Sequence, residues 1–78
     1  MKYEIGELYY YKHNLSICLN ENMDAEENIG IYKRNTPFLL LEFVEKYKVY
    51  KIIYKNIVGY VFAWDVKLRK FEATQNFP

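Results

Sequence analysis

Short runs of β-branched and aromatic residues recur along this chain, most of them with period two and a few apolar on both faces. No window of a dozen residues carries the stripe of an amphipathic helix, so the pattern predicts an all-β chain. The spacing predicts strands over residues 7–12, 15–19, 29–33, 38–44, 47–54 and 58–63. Turn chemistry separates them. Asn35 suits a left-handed backbone, and Pro37 is confined to a strand start or edge. Glu45-Lys46 makes the next reversal, and Lys55-Asn56 suits a tight hairpin. Short antiparallel strands joined this way predict a small barrel of five to six strands with almost no exposed edge.

Length sets the scale of what such a barrel can do. With 78 residues the chain makes one domain, residues 1–78, with a polar loop at 20–28 and a short flexible tail at 72–78. A domain this small buries only about 60 to 65% of its unfolded surface, which leaves no room for a nucleotide-binding α/β fold or a two-lobed active site. Nine of the apolar residues are Tyr, and each buried hydroxyl needs a hydrogen-bond partner. No apolar run approaches the roughly 20 residues of a membrane-spanning helix. The amino terminus, Met1-Lys2-Tyr3-Glu4, has no secretory pattern, and a single Cys18 cannot form an internal disulfide. Together these features predict a protein of the reducing cytoplasm with no membrane partner. Phe, Tyr, Met, Ile, Asn and Lys supply 39 residues while Gly, Ala, Arg and Pro supply 10, which reads as AT-rich codons. That bias points to a low-GC bacterium or one of its phages, and in the second case to the host cytoplasm.

An ordered set of segments resembles the bacterial SH3-like (SH3b) domain family. The set begins with Leu15-Ser16-Ile17-Cys18-Leu19, a polar loop, and Ile29-Gly30-Ile31-Tyr32-Lys33-Arg34-Asn35-Thr36. It continues through the strand from Phe38 to Glu42, Tyr47-Lys48-Val49, and Gly59-Tyr60-Val61, and closes on Leu68. About two thirds of the chain is covered; the family's usual Asn-Val-Arg and Gly-Pro are absent, and Asn35 stands where Gly is common. The resemblance implies an SH3-like barrel with a short 3-10 turn near Trp64, ending on Leu68. Such barrels serve as peptide, cell-wall or nucleic-acid binders, so the fold alone does not choose among these.

Alternation places Tyr47, Val49, Lys51 and Ile53 on one face of their strand and Lys48, Tyr50, Ile52 and Tyr54 on the other. The family pattern sends Val49 inward, which turns Tyr50, Ile52 and Tyr54 outward, beside Tyr60 and Phe62 on the next strand. The candidate partner-binding site is therefore Tyr50, Tyr54, Tyr60 and Phe62, flanked by Lys48 and Lys55. Two arrangements are open: the patch is an exposed ligand surface, or the residues before Lys12 or the tail around Phe77 cover it. Leu39, Leu41 and Phe43 also call for a cover on the second face of their strand. Either the segment with Leu8, Tyr9 and Tyr10 supplies it, or another protein or a second copy does.

Catalytic chemistry has little to work with. His13 and Cys18 are the only residues suited to nucleophilic roles, no carboxylate stands at a recognisable spacing to orient them, and together they cannot build a zinc site. The loop from Asn20 to Asn28 has alternating oxygens, but Ala25 replaces the required Gly of a calcium loop and Ile31 the closing Glu, so it reads as a solvated acidic loop. No enzyme, cofactor or metal is expected. Net charge is +1, but residues 1–45 carry 4 basic and 8 acidic groups while residues 46–70 carry 7 and 1. The expected function is a non-enzymatic module that binds and modulates another protein, a host protein if the gene is viral, as a monomer or homodimer. Nucleic-acid binding through Lys48, Lys51, Lys55, Lys67, Arg69 and Lys70 is the alternative, since Lys interleaved with Tyr suits phosphates and bases. Cell-wall binding is a third reading, which the family resemblance implies.

Overall fold

The computed structural model describes residues 3–23, 28–63 and 67–72, and these form strands and turns without a helix. Seven strands follow one another: β1 (Leu8–Tyr10), β2 (Leu15–Cys18), β3 (Asn28–Tyr32), β4 (Phe38–Val44), β5 (Val49–Tyr54), β6 (Ile57–Phe62) and β7 (Arg69–Lys70). They pair antiparallel in one open sheet of order β3-β2-β6-β5-β4-β1-β7. The all-β expectation holds, and six expected strands correspond to six observed ones. The seventh, Arg69–Lys70, is two charged residues long and carries no apolar signal; it is held by pairing with Tyr9 and Tyr10. The sheet has two ends, β3 and β7, rather than the closed pairing expected of a barrel. Residues 64–66 lie outside the described residues and with them most of the expected 3-10 turn, as do residues 24–27 of the polar loop and 73–78 of the tail.

Each tight turn between β3 and β6 holds at least one residue with a left-handed backbone. Lys55 and Asn56 both have positive φ, 49° and 65°, which is the geometry of a two-residue hairpin between β5 and β6. Asn35 takes φ 63° between β3 and β4, as its position predicts. Lys48 at φ 55° ends the β4–β5 turn, so Tyr47 and Lys48 belong to that turn and not to the strand predicted for them.

The sheet coils around a core built from alternate residues. Tyr9, Ile17, Tyr32, Phe38, Leu40, Tyr50, Ile52, Tyr54, Val61 and Leu68 form one buried cluster. Tyr32, on the end strand β3, packs its ring edge-on against Phe38 of β4 and Tyr54 of β5, with centroids 5.3 and 5.1 Å away. Those contacts bring the β3 end of the sheet back over its middle. The Tyr32 hydroxyl accepts from the Tyr11 N–H at 2.9 Å and donates to the Thr36 carbonyl at 2.6 Å, so a fully buried phenol is satisfied twice.

Phe43 does not share a face with Leu39. The register of β4 against β5 shifts between Leu40 and Glu42, so Leu39 pairs with Ile53 while Phe43 pairs with Tyr50. One extra residue in a strand reverses the facing of everything after it. Phe43 therefore turns to the core side, where its ring lies 5.4 Å from that of Tyr50. Leu39 and Leu41 are half-buried, and β1 supports Leu39 edge to edge through the Leu8–Leu39 pair instead of covering it from above.

Candidate functional site

The parity of β5 decides which side chains reach solvent. Tyr50, Ile52 and Tyr54 point into the core at 5, 1 and 4% exposure, and Val49 at the strand's start is buried as well. The outward orientation expected for Tyr50, Ile52 and Tyr54 is thus corrected. The physical reason is Lys51, which shares a face with Ile53 and whose charge must stay hydrated. Tyr50 is covered by the amino-terminal segment, one of the two arrangements open from sequence: the Tyr3 ring meets it at 5.9 Å and Tyr9 at 5.3 Å, and the Tyr3 hydroxyl accepts from the Leu68 N–H at 3.0 Å. Burial, with Tyr3 and Tyr9 beside it, pushes the Tyr50 hydroxyl up to about 12.

The six residues expected to form one patch occupy four places. Tyr50 and Tyr54 line the core. Tyr60 and Phe62 stand on the opposite, outer face of β6, across from Lys51 and Val49. Lys48 lies in the β4–β5 turn, where its Nζ donates to Glu45 at 2.7 Å and sits 5.9 Å from the centre of the Phe43 ring. Hydrogen bonding from Lys48 and its charge hold the Glu45 carboxyl below its usual value. Lys55 is at the other end of β5, with its Nζ 5.4 Å from the Tyr54 ring centre.

What the outer face brings together instead is a row of aliphatic residues. Leu8 pairs with Leu39, Leu39 with Ile53, and Ile53 with Val58, so one side chain from each of β1, β4, β5 and β6 stands in line. With neighbouring strands about 4.8 Å apart, the row is about 14 Å long. Its ends are open, with Leu8 at 39% and Val58 at 46% exposure, and its middle is half-buried. The next row, Glu42–Lys51–Tyr60, is polar, and beyond it Phe62 is 45% exposed. Cross-strand neighbours on a common face pack against one another. This row is a continuous apolar ridge bordered by a carboxylate, an ammonium and a phenol.

Leu8, Leu39, Ile53 and Val58 were not marked by sequence pattern as a group. The signal that finds them is Lys51: once its face is taken as the wet one, Ile53 and the outer residues of β6 follow. The basic residues of the nucleic-acid reading are dispersed. Lys51 is central, Lys48 and Lys55 cap opposite ends of β5, and Arg69 and Lys70 lie three strands away on β7. Cys18 is buried, and His13 is exposed, its ring 5.5 Å from that of Tyr11. Among the described residues no group of three His, Cys, Asp or Glu side chains is placed to hold a metal ion, and no helix is long and apolar enough to cross a membrane. No protein-family model, curated protein or solved structure matches the chain.

Proposed function

We propose that this chain is a non-enzymatic interaction module, a small β-domain of SH3-like character whose outer face docks on another protein and modulates it. The observation that carries this reading is the Leu8–Leu39–Ile53–Val58 ridge, four aliphatic side chains in register on an open face. Contiguous exposed apolar surface mostly marks interaction sites, because water penalises it in a free monomer. A rigid sheet presents such a ridge at little entropic cost, and the polar border of Glu42, Lys51 and Tyr60 supplies the rim of an interface. The single Cys18 favours a reducing compartment and so a cytoplasmic partner, and the composition favours a low-GC bacterial or phage gene, with a host protein as partner in the phage case. The dispersal of the basic residues favours protein over nucleic acid as that partner.

The experiment is capture from lysate of the natural or host cell, with the wild-type chain and a Leu8→Lys/Val58→Lys variant side by side, with and without nuclease. A discrete protein held by the wild type, resistant to nuclease and lost with the variant, is expected. Recovery that vanishes with nuclease would transfer the function to nucleic acid.

A further inference from the structure

A second site lies where three turns meet at the β3 end of the sheet. The Asn35 N–H donates to the Tyr11 carbonyl at 2.7 Å, and the Arg34 N–H donates to Asn14 Oδ1 at 2.8 Å. The Lys33 N–H donates to the Tyr54 hydroxyl at 3.2 Å, next to Lys55. These bonds gather Lys12, Lys33, Arg34 and Lys55, all exposed, into one corner. No acidic residue occurs in residues 8–20, 28–41 or 46–64, which supply that corner and the strands behind it. None of the four cations is in an ion pair among the described residues, where the recorded pair is Lys48–Glu45. Beside this corner, burial pushes the Tyr54 hydroxyl up, but hydrogen bonds to Thr36 and to the Lys33 backbone, with the charge and hydrogen bond of Lys55, outweigh this and hold it below the usual tyrosine value.

The corner opens into a cavity of about 520 Å3 lined by Asn14, Ile31, Lys33 and Arg34. Ile31 belongs to β3, the last strand on its side of the sheet, and is 56% exposed, so the cavity and the strand edge are continuous. A Cβ built on Gly30 would meet nothing within 4 Å, so the face of β3 at that residue is open. Gly30 N–H donates to Asn28 Oδ1 at 2.9 Å, an exposed side-chain bond that an incoming carbonyl can replace. An end strand with accessible backbone groups is a template for strand addition.

We infer that β3 and this corner bind an extended acidic peptide segment, which adds to the sheet along Asn28–Tyr32 and places its carboxylates on Lys33 and Arg34. Backbone pairing along the edge supplies affinity, the apolar contact with Ile31 fixes the register, and the four cations, which form no ion pair among the described residues, select for acid. This site is separate from the outer ridge, and its test does not depend on whether the ridge binds a partner.

The test uses the whole chain and a synthetic peptide alternating Val and Glu, with three comparison probes: its Val/Gln counterpart, the same peptide with a central Pro, and an oligothymidylate. Binding of the Val/Glu peptide is expected, with amide shifts at Gly30 and Ile31 and slowed exchange at Gly30, whose N–H faces the open edge. Lys33→Ala/Arg34→Ala should weaken it about tenfold, the sum of two modest surface ion pairs. The Gln and Pro peptides should bind weakly or not at all. Equal binding of the Gln peptide removes the charge selection, and equal binding of the Pro peptide removes strand addition. Binding of the oligothymidylate in preference to the peptide assigns the corner to phosphates and overturns the inference. So does self-association of the chain that the charge variant abolishes, because the acidic occupant is then a second copy. The substituted side chains are exposed, and an unchanged amide spectrum away from β3 verifies the fold.

Discussion

Tyr32 is the residue on which most of the core's polar accounting rests. Its ring touches Phe38 and Tyr54, and its hydroxyl accepts from the Tyr11 N–H and donates to the Thr36 carbonyl. Tyr32→Phe keeps the ring and removes the hydroxyl, so the expected loss is about 1 to 3 kcal/mol, seen as a lower urea midpoint at constant m-value. Tyr50 makes a different prediction. Its hydroxyl titrates in the folded state near 12, pushed up by burial and by Tyr3 and Tyr9, against 10.0 for a free tyrosine. A group whose folded pKa is raised stabilises the fold fully below its unfolded value and loses that contribution as pH rises through the folded one. Tyr32 shifts in the same direction, and Tyr54 opposes them. Stability should therefore fall between about pH 10 and 12, and Tyr50→Phe should flatten that fall. Denaturation midpoints across this range check it; a wild-type profile level to pH 12 would contradict the burial of Tyr50. The residue pattern already held the facing of β5. Lys51 marks the wet face, and Tyr50-x-Ile52-x-Tyr54 is the one without a charge. Taking Val49 as the inward marker inverted the reading because Val49, at the strand's first position, is buried on the opposite face.

At the level of elements, two local features set the sheet's shape. The shift in β4 after Leu40 moves Phe43 from the outer face to the core, so β4 serves both sides with one apolar run. Period-two patterns do not reveal such a shift, because a bulge inserts one residue without a compositional mark when both neighbours are apolar. The second feature is Gly59, where β6 lies against its sheet neighbour β2. A Cβ there would overlap the Ile17 Cγ2 methyl group and press on the Cys18 carbonyl, whereas at Gly30 it would enter open space. Gly59→Ala should cost about 1 to 3 kcal/mol as Ile17 is forced aside, because a close-packed core resists added volume. Gly30→Ala should be neutral or stabilising by up to about 1 kcal/mol through lower unfolded-state entropy. Paired denaturation curves of the two variants measure the difference, and equal losses would refute the close approach of β2 and β6. The turns were legible where they carry Asn, since Asn35 and Asn56 adopt the positive φ their residue type favours, whereas nothing in the residue type marks the positive φ of Lys48 and Lys55. β7 was the least legible element, because two charged residues carry no periodicity and gain their strand geometry only from β1.

For the whole molecule, six of seven strands and the all-β class follow from local pattern. The order of the strands and the open ends depend on contacts distant in sequence, such as Tyr3 with Leu68 and Tyr32 with Tyr54. Charge shows the same division. The basic excess of residues 46–70 is plain in the sequence, yet its members separate in space. The corner of Lys12, Lys33, Arg34 and Lys55 instead assembles from segments of both charge halves. The outer ridge was hidden for a related reason, since its four members come from four strands and align only through register. The central claim is that this ridge is the docking surface for another protein. Its most direct test is the affinity of the captured partner for the wild type and for Leu8→Lys/Val58→Lys, with Lys33→Ala/Arg34→Ala as a second comparison. The account predicts a loss of at least about tenfold for the ridge variant, equivalent to some 1.4 kcal/mol of lost apolar burial, with its amide spectrum still that of the folded sheet. Unchanged affinity in a folded ridge variant would contradict it.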